Sequence, residues 1–149
     1  MEKFAPKDRL ENGPFDVSEV GLLTPYLDFG SIRVAPMANM QIRADIEESS
    51  KRLIAISLEI ESHRIQLQAF AASKTEGLWG PTIESIEASL SSQGGSATRL
   101  ESEIGVELLA QIPLEENGKR VVRESRFIGV DGPKWFLRGV LTGPELHLS

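Results

Sequence analysis

Groups that carry acid–base or metal chemistry are sparse in this chain. Its 149 residues include two histidines and no cysteine, so a thiolate nucleophile and a cysteine-ligated metal are excluded. His63 lies in the polar segment Glu61–Arg64, where we predict a solvated turn residue, and His147 lies near the end of the chain. No His-x-x-x-His, Gly-x-Ser-x-Gly or phosphate-loop pattern occurs. The sequence therefore predicts no catalytic residue, no metal site and no cofactor, and an enzyme is the less favoured interpretation.

Arginine is the residue type here with the clearest capacity to bind a ligand, because a guanidinium group pairs with carboxylates and phosphates through two parallel hydrogen bonds. Between Lys119 and Arg138 six basic residues stand against two acidic ones, whereas the formal charge of the whole chain is −6. This basic strip is either a solvated face that pairs with acidic residues inside the fold or a site for an anionic partner. The candidate ligand-binding residues are Arg123, Arg126 and Arg138.

These arginines lie in a predicted hairpin whose strands, Val121–Val130 and Trp135–Leu141, flank an Asp-Gly-Pro turn. Side chains alternate between the two faces of a strand, so Arg123 and Arg126 are expected on opposite faces. Because a buried unpaired charge is costly, we predict that Arg126 or Arg138 pairs with an acid. The first candidate partners are Glu101, Glu103 and Glu107.

The same hairpin contains two adjacent aromatic residues and two glycines that predict contacts with other parts of the protein or with a partner. Trp135 and Phe136 are adjacent, so one of them faces away from any helix packed on the sheet, and both are candidate interface residues. Gly129 and Gly139 interrupt the strand patterns, which is typical of a close approach by another group. That group is either a bulky helix side chain, with Trp79 and Leu90 as candidates, or a ligand or partner.

The elements that position these residues are mostly strands. Alternating apolar residues predict strands over Phe29–Ala35, Met40–Glu47, Leu53–Ile60, Ile65–Ala71, Ala97–Glu103 and Val106–Ile112, before the hairpin. Apolar residues spaced four, three and four apart from Trp79 to Leu90 predict one helix over about 78–93, ended by Gly94-Gly95. The predicted fold is α+β: a curved antiparallel sheet of about six to eight strands packed on this main helix.

One domain is expected for a chain of this length. Residues 1–27 contain three prolines among isolated apolar residues and predict an arm that is partly docked on the sheet. Residues 28–143 form the predicted single α+β domain, and residues 144–149 form a tail predicted to fray.

Composition and charge argue against a nucleic-acid binder and a membrane protein. The net negative charge argues against a general nucleic-acid binder. No apolar run approaches the roughly 20 residues of a membrane helix, and no signal peptide is predicted at the start of the chain. A chain without cysteine fits a reducing compartment, so we predict a cytoplasmic protein that contacts neither nucleic acid nor membrane.

Several blocks resemble a known family. They are Leu27–Ser31, Gln66–Ala72, Gly77–Trp79, Gln93–Gly95 and, most specifically, Phe127–Val140. These blocks are similar to an actinobacterial family of domains of unknown function, over residues 13–143. The resemblance implies a cytoplasmic actinobacterial protein without assigned catalytic residues, often encoded near a gene for dUTP hydrolysis, and hence hints at a nucleotide-related role.

Two functional hypotheses remain. The favoured one is a non-catalytic binding or scaffold module that contacts a protein partner or forms a homodimer through the outer sheet face and the N-terminal arm. The alternative is a domain that binds a small anionic ligand, nucleotide-related or otherwise, with Arg123, Arg126 and Arg138.

Overall fold

The computed structural model describes residues 3–19, 27–28, 32–35, 38–144 and 146. A short helix, α1, and a 3₁₀ turn precede a series of strands that is interrupted by one longer helix, α2. The bounds are Arg9–Asn12 (α1), Val17–Glu19 (3₁₀ turn), Leu27–Asp28 (β1), Arg33–Val34 (β2), Met40–Ile46 (β3), Leu53–Ile60 (β4), His63–Ala71 (β5), Trp79–Ser92 (α2), Ser96–Ser102 (β6), Gly105–Glu116 (β7), Lys119–Asp131 (β8) and Trp135–Thr142 (β9).

The main sheet of the described residues has seven strands in the order β3-β4-β5-β9-β8-β7-β6, all antiparallel. Short turns join most neighbours, as antiparallel pairing allows. Strand β9 returns to the middle of the sheet, where its ladder with β5 runs from Trp135 opposite Ala71 to Thr142 opposite Arg64. The predicted α+β class, with one antiparallel sheet and one main helix, is confirmed.

The strand predicted over Phe29–Ala35 is described only in part. Arg33 and Val34 form β2, which pairs with the preceding β1, with Leu27 opposite Val34 and Asp28 opposite Arg33. Residues 29–31 lie outside the described part of the chain. Ile32 and Val34 are buried against the apolar surface of β4.

Helix α2 lies within one residue of the prediction at each end. Trp79, Ile83 and Leu90 are buried, and Ile86 is half-buried. Gly94 has φ +78°, and the N–H groups of Gly94 and Gly95 donate to the carbonyl oxygens of Ser91 and Leu90. This is a Schellman ending, which glycine favours because it adopts the left-handed conformation without steric cost.

The two faces of the sheet are covered by different parts of the chain. We call the face under α2 the helix face; its core is Trp79, Ile83, Leu108 and Phe136. The opposite, outer face has its core at Ile32, Val34, Ile56 and Leu58. Alternation along each strand assigns every side chain of the sheet to one of these faces.

The segment predicted as a docked arm contacts the sheet in its described residues, 3–19. Phe4 packs into the helix-face core, and Lys3 Nζ donates to the carbonyl oxygens of Ser73 and Gly132 at 2.9 and 2.7 Å. Arg9 pairs with Glu19 at 2.7 Å. Residues 20–26 lie outside the described residues.

The C-terminal segment predicted to fray has two described residues, 144 and 146. Leu146 is buried, and its carbonyl oxygen accepts a hydrogen bond of 3.1 Å from Arg126 Nη1. Position 145 and residues 147–149, including His147, lie outside the described residues.

Candidate functional site

The two adjacent aromatic residues lie on opposite faces, as strand alternation predicts. Phe136 is buried on the helix face, with its ring centroid 6.1 Å from that of Trp79. Trp135 lies on the outer face, where its indole N–H donates to Asp16 Oδ1 at 2.7 Å and the Arg9 guanidinium lies 5.9 Å from its ring. One ring is therefore covered by α2, and the other contacts the arm.

The contact at Trp135 is electrostatic as well as apolar. The pKa of Asp16 is lowered, first because the Ser18 hydroxyl and backbone N–H donate to its carboxylate and second because Trp135 does. Arg9 likewise lowers the pKa of Glu19 through their hydrogen-bonded ion pair. These hydrogen bonds favour the charged form of both carboxylates and hold the end of the arm on the outer face.

Arg126 is the buried member of the basic strip. It lies on the outer face, and its Nε donates to Glu107 Oε1 at 2.9 Å. A second bond of 3.3 Å joins its Nη2 to Glu107 Oε2, so the pair is bidentate. The prediction that Arg126 or Arg138 pairs with one of three named glutamates is confirmed for Arg126 with Glu107.

The other two arginines are engaged elsewhere. Arg138 lies on the helix face, donates to the Gln68 side chain and stacks 5.3 Å from the ring centroid of Phe70. Arg123 is exposed and pairs with Glu116 near the end of the β7–β8 hairpin. The structure therefore does not bring Arg123, Arg126 and Arg138 together around one cleft.

Asp131 connects three distant parts of the fold, whereas the sequence identifies it only as part of a turn. Its buried carboxylate accepts hydrogen bonds from the backbone N–H groups of Leu78 at 2.8 Å and Phe4 at 2.9 Å, with longer contacts of 3.4 Å to Trp79 N. Its own N–H donates to the Phe4 carbonyl oxygen at 2.7 Å. Asp131 therefore caps α2 from a distant strand and fixes the arm through the same carboxylate.

The two strand glycines have different neighbours. A Cβ at Gly129 would lie 2.2 Å from Trp79 Cδ2, so the helix-packing interpretation is confirmed there. Gly139 lies on the outer face, where a Cβ would meet only the ends of Ile65 and Leu67, at 3.2 and 3.4 Å. The Ile65 and Leu67 side chains therefore close over Gly139 on the outer face.

Gly139 and these two side chains also line a cavity of about 300 Å³ between the arm, the β6–β7 turn and the sheet. We call it the outer-face cavity. Its floor is aliphatic, and its walls include Pro6 and Pro14 of the arm and Ile104 of the turn. Two acidic residues, Asp8 and Glu103, also line it.

The second feature that sequence reasoning missed is the length of the β7–β8 hairpin. Pairing continues to Glu116 opposite Lys119, so only Asn117 and Gly118, both with positive φ, form the turn. Strand β6 begins opposite Gln111, and β9 pairs with β8 only from Arg126 onward. Residues 112–123 therefore form a two-stranded ribbon, roughly 17 Å long at 3.4 Å per residue, that extends beyond both neighbouring strands.

The ribbon has two different surfaces. Val122 and Pro113 face each other across the strands on its outer face, followed by Glu115 and Arg120. Leu114 lies on the opposite side, that of the helix face. Val122 is 63% exposed and Leu114 40%, so both apolar side chains are open to solvent.

No group of three or more His, Asp or Glu side chains in the described residues is arranged to hold a metal ion. None of the helices in those residues is both long and apolar enough to span a membrane.

Comparison with known proteins assigns the chain to a family. A model of DUF3710, described as a protein of unknown function, matches residues 13–148. The chain belongs to the DUF3710 family. The DUF3710 match includes Asp131, the ribbon and the sheet floor of the outer-face cavity, whereas Phe4 and Pro6 precede it. No curated protein and no solved structure matches the chain.

Proposed function

We propose that this DUF3710 chain is a non-catalytic binding module that forms a homodimer through the outer face of the ribbon. The observation that carries the proposal is the unsupported ribbon with its exposed Val122. A two-stranded hairpin is only marginally stable by itself in water. Packing the outer face of the ribbon against a partner buries the exposed Val122 side chain and supports the hairpin.

The charges of the ribbon favour a second copy of the chain as that partner. Glu115 and Arg120 lie opposite each other on the outer face. A two-fold axis parallel to the ribbon places the β7 strand of one copy over the β8 strand of the other. Glu115 then meets Arg120 of the second copy, and Val122 meets Pro113, so the surface is self-complementary as an isologous interface requires.

We infer that the protein acts in the cytoplasm of an actinobacterium, on the basis of the sequence resemblance and of the composition without cysteine. The alternative of an anion-binding or nucleotide-related domain has less support. Arg126 and Arg123 pair with glutamates and Arg138 with Gln68, at separate places in the fold.

The test is the association state of single-residue variants. Each dimer buries two Val122 side chains, which contribute roughly 3 kcal/mol, so Val122→Glu is expected to weaken dimerisation about a hundredfold or more. Leu114→Glu is the matched control, since it places the same charge on the same ribbon but on the other face. Sedimentation velocity from 1 to about 200 μM covers the range of weak homodimers.

A charge exchange sharpens the test. Glu115→Arg and Arg120→Glu each create like-charge contacts across the proposed two-fold axis, and the double variant restores opposite charges. We expect dimers from the wild type and the double variant and weaker association of each single variant. A wild type that remains monomeric at 200 μM, or a Leu114→Glu effect equal to that of Val122→Glu, would falsify the proposal.

A further inference from the structure

We infer that the outer-face cavity is a binding site for a small apolar molecule that carries one cationic group, such as an ammonium. This ligand site is separate from the proposed dimer surface, because the cavity lies against the β6–β7 turn and the ribbon projects from the other end of β7. The inference rests on the volume of the cavity, the aliphatic side chains of its floor and the negative charge of its lining.

The cavity has the size and lining of a ligand site. Its volume of about 300 Å³ is at the small end of the roughly 300–1,000 Å³ that ligand pockets occupy. The floor is formed by side chains that share the outer face of three adjacent strands: Ile65, Leu67, Ile128, Val130, Leu137 and Gly139. An aliphatic floor with a few polar groups at the rim is the usual composition of such pockets.

Gly139 distinguishes this part of the outer face from the helix face. It sits in the interior of a central strand, where glycine weakens the ladder. At Gly129 the bulky ring of Trp79 from α2 fills the place of the missing side chain, whereas at Gly139 the Ile65 and Leu67 side chains of the cavity floor lie over the backbone. The floor at this position is therefore covered by its own aliphatic side chains and by no helix of the described chain.

The acidic lining of the outer-face cavity favours a cationic ligand. The described lining of the cavity contains the carboxylates of Asp8 and Glu103 and no lysine, arginine or histidine. The nearby cation on the same face, Arg126, is already bound to Glu107. Glu103 forms no hydrogen bond or ion pair within the described structure, so its carboxylate remains available to pair with a bound cation. An anionic ligand, in contrast, would be repelled by the Glu103 carboxylate.

Three probes with the same apolar body test the inference: 1-aminoadamantane, 1-adamantanol and 1-adamantanecarboxylate, which are cationic, neutral and anionic at neutral pH. Each is titrated into the full chain with ¹³C-labelled isoleucine, leucine and valine methyl groups. We expect the amine to shift the methyl signals of Ile65, Leu67 and Ile128 saturably. The amine should bind about fivefold more tightly than the alcohol, as expected for one partly exposed ion pair. The carboxylate should bind more weakly than both.

Variants assign the effect to the cavity. Glu103→Gln should remove the preference for the amine over the alcohol, whereas Glu101→Gln, a residue on the helix face of β6, should preserve it. Gly139→Val should fill the floor and abolish binding of all three probes, with its folding checked by circular dichroism. Floor methyl signals that no probe moves, equal binding of the three probes, or equal effects of the two glutamine variants would each overturn the inference.

Discussion

Replacing Asp131 by alanine is expected to destabilise the fold by about 3–5 kcal/mol. The carboxylate makes two short hydrogen bonds, to Leu78 N at 2.8 Å and to Phe4 N at 2.9 Å. Bonds to a charged acceptor contribute about 1.5–3 kcal/mol each, and the alanine variant leaves both donors without an acceptor. The lower part of the summed range applies because Phe4 N regains water when the arm detaches. Such a loss is a large fraction of the roughly 5–15 kcal/mol that stabilises a domain.

The assay is urea denaturation followed by far-ultraviolet circular dichroism and tryptophan fluorescence. Asp131→Asn retains one acceptor but points an amide donor at a backbone N–H, so it should lie between the wild type and Asp131→Ala. Asp45→Ala is the control, because that carboxylate is 36% exposed on the edge strand and 3.5 Å from Arg43. Its loss should cost within about 0.5 kcal/mol. A loss below about 1 kcal/mol for Asp131→Ala, or equal losses for the two alanine variants, would refute the capping role.

Three further results are expected. Gly129→Ala should cost about 1–3 kcal/mol in urea denaturation, because its Cβ would lie 2.2 Å from a buried indole, and Gly139→Ala should cost less because its nearest contact is 3.2 Å away. Arg126→Met should cost about 3–5 kcal/mol because it leaves the Glu107 carboxylate buried without its partner, and adding Glu107→Leu should recover most of that stability. The folded-state pKa of Asp16 is lowered, so its stabilising contribution is present above the usual carboxyl pKa of about 4 and is lost as the pH falls below that value. The emission of the outer-face indole should therefore change on acidification in the wild type and not in Asp16→Asn; an unchanged acid transition in that variant would contradict the assignment.

The sequence predicts most of the fold because its periodicities are local. The four-three-four spacing from Trp79 to Leu90 and the Gly94-Gly95 ending locate α2. Strand alternation separates Trp135 from Phe136 and directs Arg126 toward a glutamate. In each of these cases the deciding information lies within about ten residues of the position or in the parity of a strand.

The remaining features depend on contacts between distant parts of the chain. Asp131 resembles an ordinary turn residue in the sequence, since its partners Phe4 and Leu78 are 127 and 53 positions away. The outer-face cavity exists only because Pro6 and Pro14 fold over the sheet beside Gly139. The length of the ribbon depends on where β6 and β9 stop, which no pattern within β7 or β8 reveals.

The double role of Asp131 also determines the order in which the domain can be completed during synthesis. Synthesis proceeds from the N-terminus, so Phe4 and the residues of α2 are made before position 131 exists. Until then the first N–H groups of α2 have no carboxylate to accept their hydrogen bonds, and Phe4 of the arm has no partner on the sheet. Contacts of such large sequence separation also slow folding, since the loop must close before they form. The apolar face of α2 therefore stays incompletely covered in the nascent chain until the last hairpin is made.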